Sequence, residues 1–76
     1  MRYVPGRCLL RQLIHEQRKT QKWLCGRTGI SQSNMSDYVR GEKKMSANTM
    51  KTVAMALGVH MDDLYEWIEI TIDDSE

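Results

Sequence analysis

Apolar residues recur at helical spacing along most of the chain. Leu10, Leu13 and Ile14 form one stripe over residues 6–18, with Pro5 near its start. Leu24 and Cys25 give a small apolar face to a segment over 21–27. Met35, Tyr38 and Val39 stand at i, i+3, i+4 over 32–40. Ser46 begins a fourth segment with Met50, Val53, Ala54 and Leu57 inward. A fifth runs from Met61 to about Glu69, opened by Asp62 and Asp63, whose charge suits a helix N-terminus. The punctuation agrees: Thr20 and Ser31 are N-cap residues, and Gly29, Gly41 and Gly58 can close helices in the left-handed conformation. The pattern predicts an all-α fold of five helices, with GEKKM (41–45) as a polar loop. One stretch breaks the helical period. Ile68, Ile70 and Ile72 alternate with Glu69 and Thr71, which reads either as a strand pairing with its copy in another subunit or as the ragged end of the fifth helix. The terminal DDSE is expected to fray.

Seventy-six residues make one domain, 1–76, with an acidic tail over about 70–76. Such a chain has no room for a deep, water-excluding pocket beside its core, so no enzyme is expected. A hydrophobic content of 41% with 28% charged residues argues against wholesale disorder. No apolar run is long enough to cross a bilayer, and the opening MRYVPGRCLL is too broken for a signal peptide. The expectation is a cytoplasmic protein without membrane contact, with Cys8 and Cys25 as reduced, buried thiols. These cysteines lack CxxC spacing and His15 lies far from His60, so neither a metal site nor a cofactor is expected. Met35, Met50, Met55 and Met61 read as core filler.

Charge is divided sharply along the chain. Residues 1–44 carry ten Lys and Arg against three acids; residues 45–76 carry one Lys against seven acids. The first part suits a polyanion and the second suits solvent or a partner. Within the basic part, residues 20–40 read as two short helices joined at the glycine corner Gly29, which Ile30 plugs. The second helix has an apolar back and a front of Gln32, Ser33, Ser36 and Asp37, all able to hydrogen-bond base edges. That arrangement is what reading a DNA major groove requires. Gln32 can pair with adenine through its amide. Asp37 can accept from a cytosine amine, hold Arg40 or Lys44, or repel phosphate. Phosphate contacts are expected from the start of the first of these helices (Arg18, Lys19, Thr20, Gln21, Lys22), from Asn34 beside the reading face, and from Arg40, Lys43 and Lys44 after it. Trp23 is either a partly exposed packing residue or an apolar contact to sugar–phosphate. Tyr65, Trp67, Ile68 and Ile70 exceed what one small core can hide. They are read as a dimer patch, with packing on the first helix as the other possibility.

The ordered set Leu10-Arg11-x-Leu13, Thr20-Gln21-x-x-Leu24, Gly29-Ile30-Ser31, Ser36, Arg40-Gly41, Ala56-Leu57-Gly58-Val59 and Asp62-Asp63-Leu64-Tyr65 resembles the lambda-repressor-like, Cro-type helix-turn-helix family. The resemblance runs from about Leu10 to Tyr65. It implies a compact five-helix domain, usually dimeric, that binds double-stranded DNA as a transcriptional regulator. The chain departs from the pattern at Cys25, at Arg18-Lys19 where a glycine and an apolar residue are common, at Val39 and at Met45. It also places the acid Asp37 on the reading face. The expected function is a DNA-binding repressor working as a homodimer on a near-palindromic operator. The alternative is a protein-interaction module, antitoxin-like or an accessory subunit, that binds a partner through its acidic half and aromatic patch.

Overall fold

Hydroxyl side chains start the central helices and left-handed glycines end them. In the computed structural model, which describes residues 1–71, the order is β1 (Arg2–Cys8), α1 (Leu10–Glu16), α2 (Gln21–Thr28), α3 (Gln32–Arg40), α4 (Ala47–Leu57), a 3-10 turn (Met61–Leu64) and β2 (Tyr65–Ile70). Thr20, Ser31 and Ser46 each accept a hydrogen bond from the backbone N–H three residues on. This satisfies one of the free donors at each helix start. Gly29 and Gly41, at φ of 79° and 81°, turn the chain where a side chain would be strained.

Both ends differ from the expected all-α fold. Residues 2–8, partly assigned to the first helix by the apolar stripe, form a strand; α1 is confined to Leu10–Glu16. The expected fifth helix is a single 3-10 turn followed by β2. β1 and β2 form an antiparallel ribbon in which Arg2 faces Ile70, Val4 faces Ile68 and Pro5 faces Trp67. The domain is thus four α-helices plus a two-strand ribbon. Alternation at Ile68 and Ile70 does mark a strand, but its partner is the chain's own N-terminal segment rather than another subunit. Ile72 and residues 73–76 of the acidic tail lie outside the described residues. Pro5 is tolerated because a two-strand ribbon has an open edge on each side. Gly6 is required by close approach: a Cβ there would sit 2.8 Å from Ile68 Cδ1 and 3.1 Å from the Glu66 carbonyl.

The core unites Leu10 and Ile14 of α1, Leu24 and Cys25 of α2, Met35 and Val39 of α3, Met50, Val53, Ala54 and Leu57 of α4, and Leu64. Two further members lie outside the helices. Met45, assigned by sequence to a polar loop, is buried, and so is Tyr65. The Met45 backbone N–H donates to the Tyr65 hydroxyl at 3.0 Å. Burial raises the Tyr65 phenol above its ordinary pKa, against that backbone hydrogen bond, which pulls it down. The phenol therefore stays neutral in this contact. Met55, expected in the core, is 66% exposed. It sits on the solvent side of α4, because Met50, Val53, Ala54 and Leu57 already fill the inner face. Gln17 Nε2 donates to the Leu57 carbonyl at 2.8 Å, and the Leu9 N–H donates to the Leu64 carbonyl at 2.8 Å. These bonds tie the two ends of α1 to the end of α4 and to the 3-10 turn before β2.

One backbone position is strained. Arg18 has φ 58°, in the left-handed region that L residues avoid. It closes α1: its N–H reaches the His15 carbonyl and the Lys19 N–H reaches the Ile14 carbonyl. Glycine is the residue that suits this position. Arg18→Gly is expected to raise unfolding free energy by roughly 0.5–1 kcal/mol, read by urea or thermal denaturation. The native arginine therefore adds a cation beside α2 at a cost in stability.

Candidate nucleic-acid interface

The α2–α3 corner is built from local hydrogen bonds. Thr20 Oγ1 accepts from the Trp23 N–H at 3.0 Å, and Ser31 Oγ accepts from the Asn34 N–H at 3.1 Å. Thr28 Oγ1 donates to the Leu24 carbonyl at 2.8 Å and accepts from the Ile30 N–H at 3.3 Å, closing the turn around Gly29. Behind the corner, Met35 is fully buried and Val39 nearly so, with Tyr38 and Ile30 packed against the core. In front, Gln32 and Ser33 are exposed, while Ser36 and Asp37 are half-buried. The polar flank after Gly29 thus stays on the surface, where a duplex can reach it.

Of the three roles open to Asp37, the structure shows one at work. Its carboxylate accepts from Arg40 Nη2 at 2.9 Å and lies 3.9 Å from Lys43 Nζ. The partner beside Arg40 is Lys43, not Lys44. Arg40 also reaches Glu42 at 3.3 Å, and Lys43 Nζ donates to Asn34 Oδ1 at 2.8 Å. Two expected phosphate-binding cations are therefore held against α3 by carboxylates and an amide. Exposed pairs of this kind contribute about 0–1 kcal/mol, so a phosphate can displace them. Lys44 is exposed. The Cys8 thiol is pushed up from its ordinary pKa by burial, against a backbone hydrogen bond from Leu10 and the charge of Lys44. It stays a neutral, weakly reactive thiol.

At the start of α2, Arg18, Lys19, Thr20 and Lys22 are exposed and Gln21 is half-buried. Thr20 spends its hydroxyl on the cap. Trp23 is half-buried and packed on the core, as a packing residue would be. Lys19 Nζ lies 4.6 Å from its ring centroid, and Arg27 Cζ lies 5.8 Å away. Arg27 was not singled out from the sequence, and the structure brings it to the same ring as Lys19. The signal was present in the spacing of Lys19, Trp23 and Arg27, each four residues from the next.

The aromatic patch is divided by the ribbon. Tyr65 and Trp67 fall on one face of β2, and Ile68 and Ile70 lie together on the other, which they share with Val4. Tyr65, expected in the exposed patch, is buried instead. Trp67 stacks edge-on against it at 6.0 Å and donates its indole N–H to the Asp62 carbonyl at 2.9 Å. Ile68 and Ile70 remain 50% and 39% exposed.

A capped first helix, a glycine corner and a second helix with a buried back and a polar front define a helix-turn-helix. The chain belongs to the Cro/C1-type HTH DNA-binding domain family, which matches residues 9–69. It is similar to two proteins of Bacillus subtilis (strain 168), both named SPbeta prophage-derived uncharacterized HTH-type transcriptional regulators. It is 40% identical to YopS over 63 residues, covering 82% of this chain and 85% of the relative. It is 37% identical to YotL over 66 residues, covering 86% and 82%. Among the described residues no helix is long and apolar enough to cross a membrane.

Proposed function

We propose that this chain is a sequence-specific DNA-binding transcriptional regulator, a repressor that acts in the cytoplasm as a homodimer on a near-palindromic operator. The observation that carries the reading is α3 itself. Met35 and Val39 fix its back in the core while Gln32 and Ser33 stand free at its N-terminal end, the part of a recognition helix that enters the groove most deeply. Gln32, Ser33, Ser36 and Asp37 read base edges. Arg18, Lys19, Thr20, Gln21, Lys22, Asn34, Arg40, Lys43 and Lys44 grip the two strands. Membership of a DNA-binding family and the names of both relatives support this assignment. No catalytic step is assigned to the chain.

Selection of bound duplexes from a random oligonucleotide pool tests the reading. It is expected to return two inverted half-sites with centres ~10 bp, or a multiple, apart. Gln32→Ala should then erase preference at one base position per half-site, costing ~1–3 kcal/mol against the selected site. Lys43→Ala should weaken selected and random duplexes alike. Recovery of no preferred sequence would remove the specific-reader assignment.

The dimer is proposed through the ribbon. A lone two-strand ribbon is marginal in water, yet this one carries exposed Ile68 and Ile70. The molecule measures 51 × 21 × 19 Å, with a radius of gyration of 14.0 Å. A compact chain of this length has a radius near ~11 Å. A second copy laid against the Ile68–Ile70–Val4 face would cover these side chains. Sedimentation should show a concentration-dependent dimer that Ile68→Glu converts to monomer. A wild-type monomer at all concentrations would leave that face to a different protein partner.

A further inference from the structure

Side chains on a helix lean toward its N-terminus, so residues four apart meet over one another. On α2 this brings Arg27 back over Trp23 and places Trp23 beside Lys19, which precedes the helix. Two cations converge on one indole, at 4.6 Å and 5.8 Å from its centroid. The indole is half-buried and packed against the core. Among the described residues neither cation enters a salt bridge, in contrast to Arg40 and Lys43 with Asp37. Two like charges gathered without a carboxylate repel each other. The negative face of the ring offsets part of that repulsion, and an anion bound between them would offset more. At the Lys19 end of α2, exposed Lys22 and the backbone donors of the first turn favour an anion too, while Arg27 reaches the ring from the last turn.

We propose that Lys19, Trp23 and Arg27 form a clamp for the DNA backbone, flanking the groove that α3 enters. Lys19 and Arg27 take phosphate oxygens, and Trp23 is the positioning residue that holds them. The clamp rests on the DNA-binding reading and adds Arg27 to the contacts foreseen from sequence. A phosphate in this position would draw the two cations off the ring and onto its oxygens, so the environment of the indole changes on binding.

The test is the salt slope of duplex binding by the full chain. Each phosphate neutralised contributes about 0.9 to the slope of log affinity against log salt concentration. Arg27→Gln, at an exposed position, should lower the slope by about that amount. Trp23→Leu keeps apolar bulk and should lower it as well, whereas Trp23→Phe keeps a ring and should restore it. The indole N–H resonance absent from Trp23→Phe identifies Trp23, and in the wild type it should shift on adding duplex. An unchanged slope in Arg27→Gln and an unmoved indole resonance, against a steep wild-type slope, would overturn the clamp alone. A flat wild-type slope would overturn the clamp together with the DNA-binding reading.

Discussion

Duplex binding is expected to weaken ~10³–10⁵-fold as salt rises from about 50 to about 200 mM. The range follows from six to ten phosphate contacts, each releasing condensed counterions when a cation replaces them. Arg18, Lys19, Lys22, Arg40, Lys43 and Lys44 supply six such cations in each chain and Arg27 a seventh, so a dimer reaches six to ten contacts with only about half of them on phosphate. They do not contribute equally. Arg40 and Lys43 begin against Asp37, Glu42 and Asn34, so gripping phosphate means leaving partners already in place. The freed Asp37 carboxylate then remains on the groove side as a local negative charge. Lys19 and Arg27 start from a ring rather than a carboxylate, so leaving it strands no negative charge beside the phosphate. The drop should accordingly lie toward the lower end of the range, with the α2 side more salt-sensitive than the loop after α3. Fluorescence anisotropy with a labelled duplex, repeated across a salt series, measures it directly. A response within tenfold over that interval would mean that the cationic half of the chain does not face a polyanion.

The legible part of this fold is the part written locally. Thr20, Ser31 and Ser46 before three apolar-periodic runs, with Gly29, Gly41 and Gly58 after them, place α2, α3 and α4 to within a residue or two, because caps and stripes act over one or two turns. The reading face follows from the same period. Once Met35 and Val39 point inward, Ser33 and Asp37 must point out. The ends were illegible for the opposite reason. β1 exists because residues 2–8 pair with residues 65–70, a contact that spans almost the whole chain. Nothing within either segment names the other. Pro5 therefore reads as a helix start, and Tyr65–Ile70 as the continuation of a helix opened by Asp62 and Asp63. Met45 was hidden because an apolar residue in a loop carries no period to show which way it faces, whereas Met55 lies on α4, where the inward set Met50, Val53, Ala54 and Leu57 already puts it on the outer face. Asp37 could be assigned three roles from sequence, and beside the expected Arg40 it meets Lys43 rather than Lys44 because of how the chain turns after Gly41.

Met35→Ala is expected to lower unfolding free energy by about 2–5 kcal/mol. Met35 is fully buried, and it is the innermost side chain of α3. Truncation removes apolar burial and leaves a cavity that a short, capped helix cannot collapse into without shifting its axis. A domain of this size has a total stability of about 4–11 kcal/mol, so the loss takes a large share of it. Urea denaturation followed by tryptophan fluorescence should show a lower midpoint with an unchanged slope. Met55→Ala is the matched control: the same chemistry on the exposed side of α4 should change stability by ~0.5 kcal/mol or less. The functional consequence separates two ways of losing DNA binding. At low temperature, where most Met35→Ala molecules remain folded, base preference should persist because Gln32 and Ser33 are untouched, and only the active fraction should fall. At higher temperature binding should disappear along the unfolding curve. If Met35→Ala costs no more than Met55→Ala, α3 is not anchored through its back. The outward placement of Gln32 would then have no physical basis.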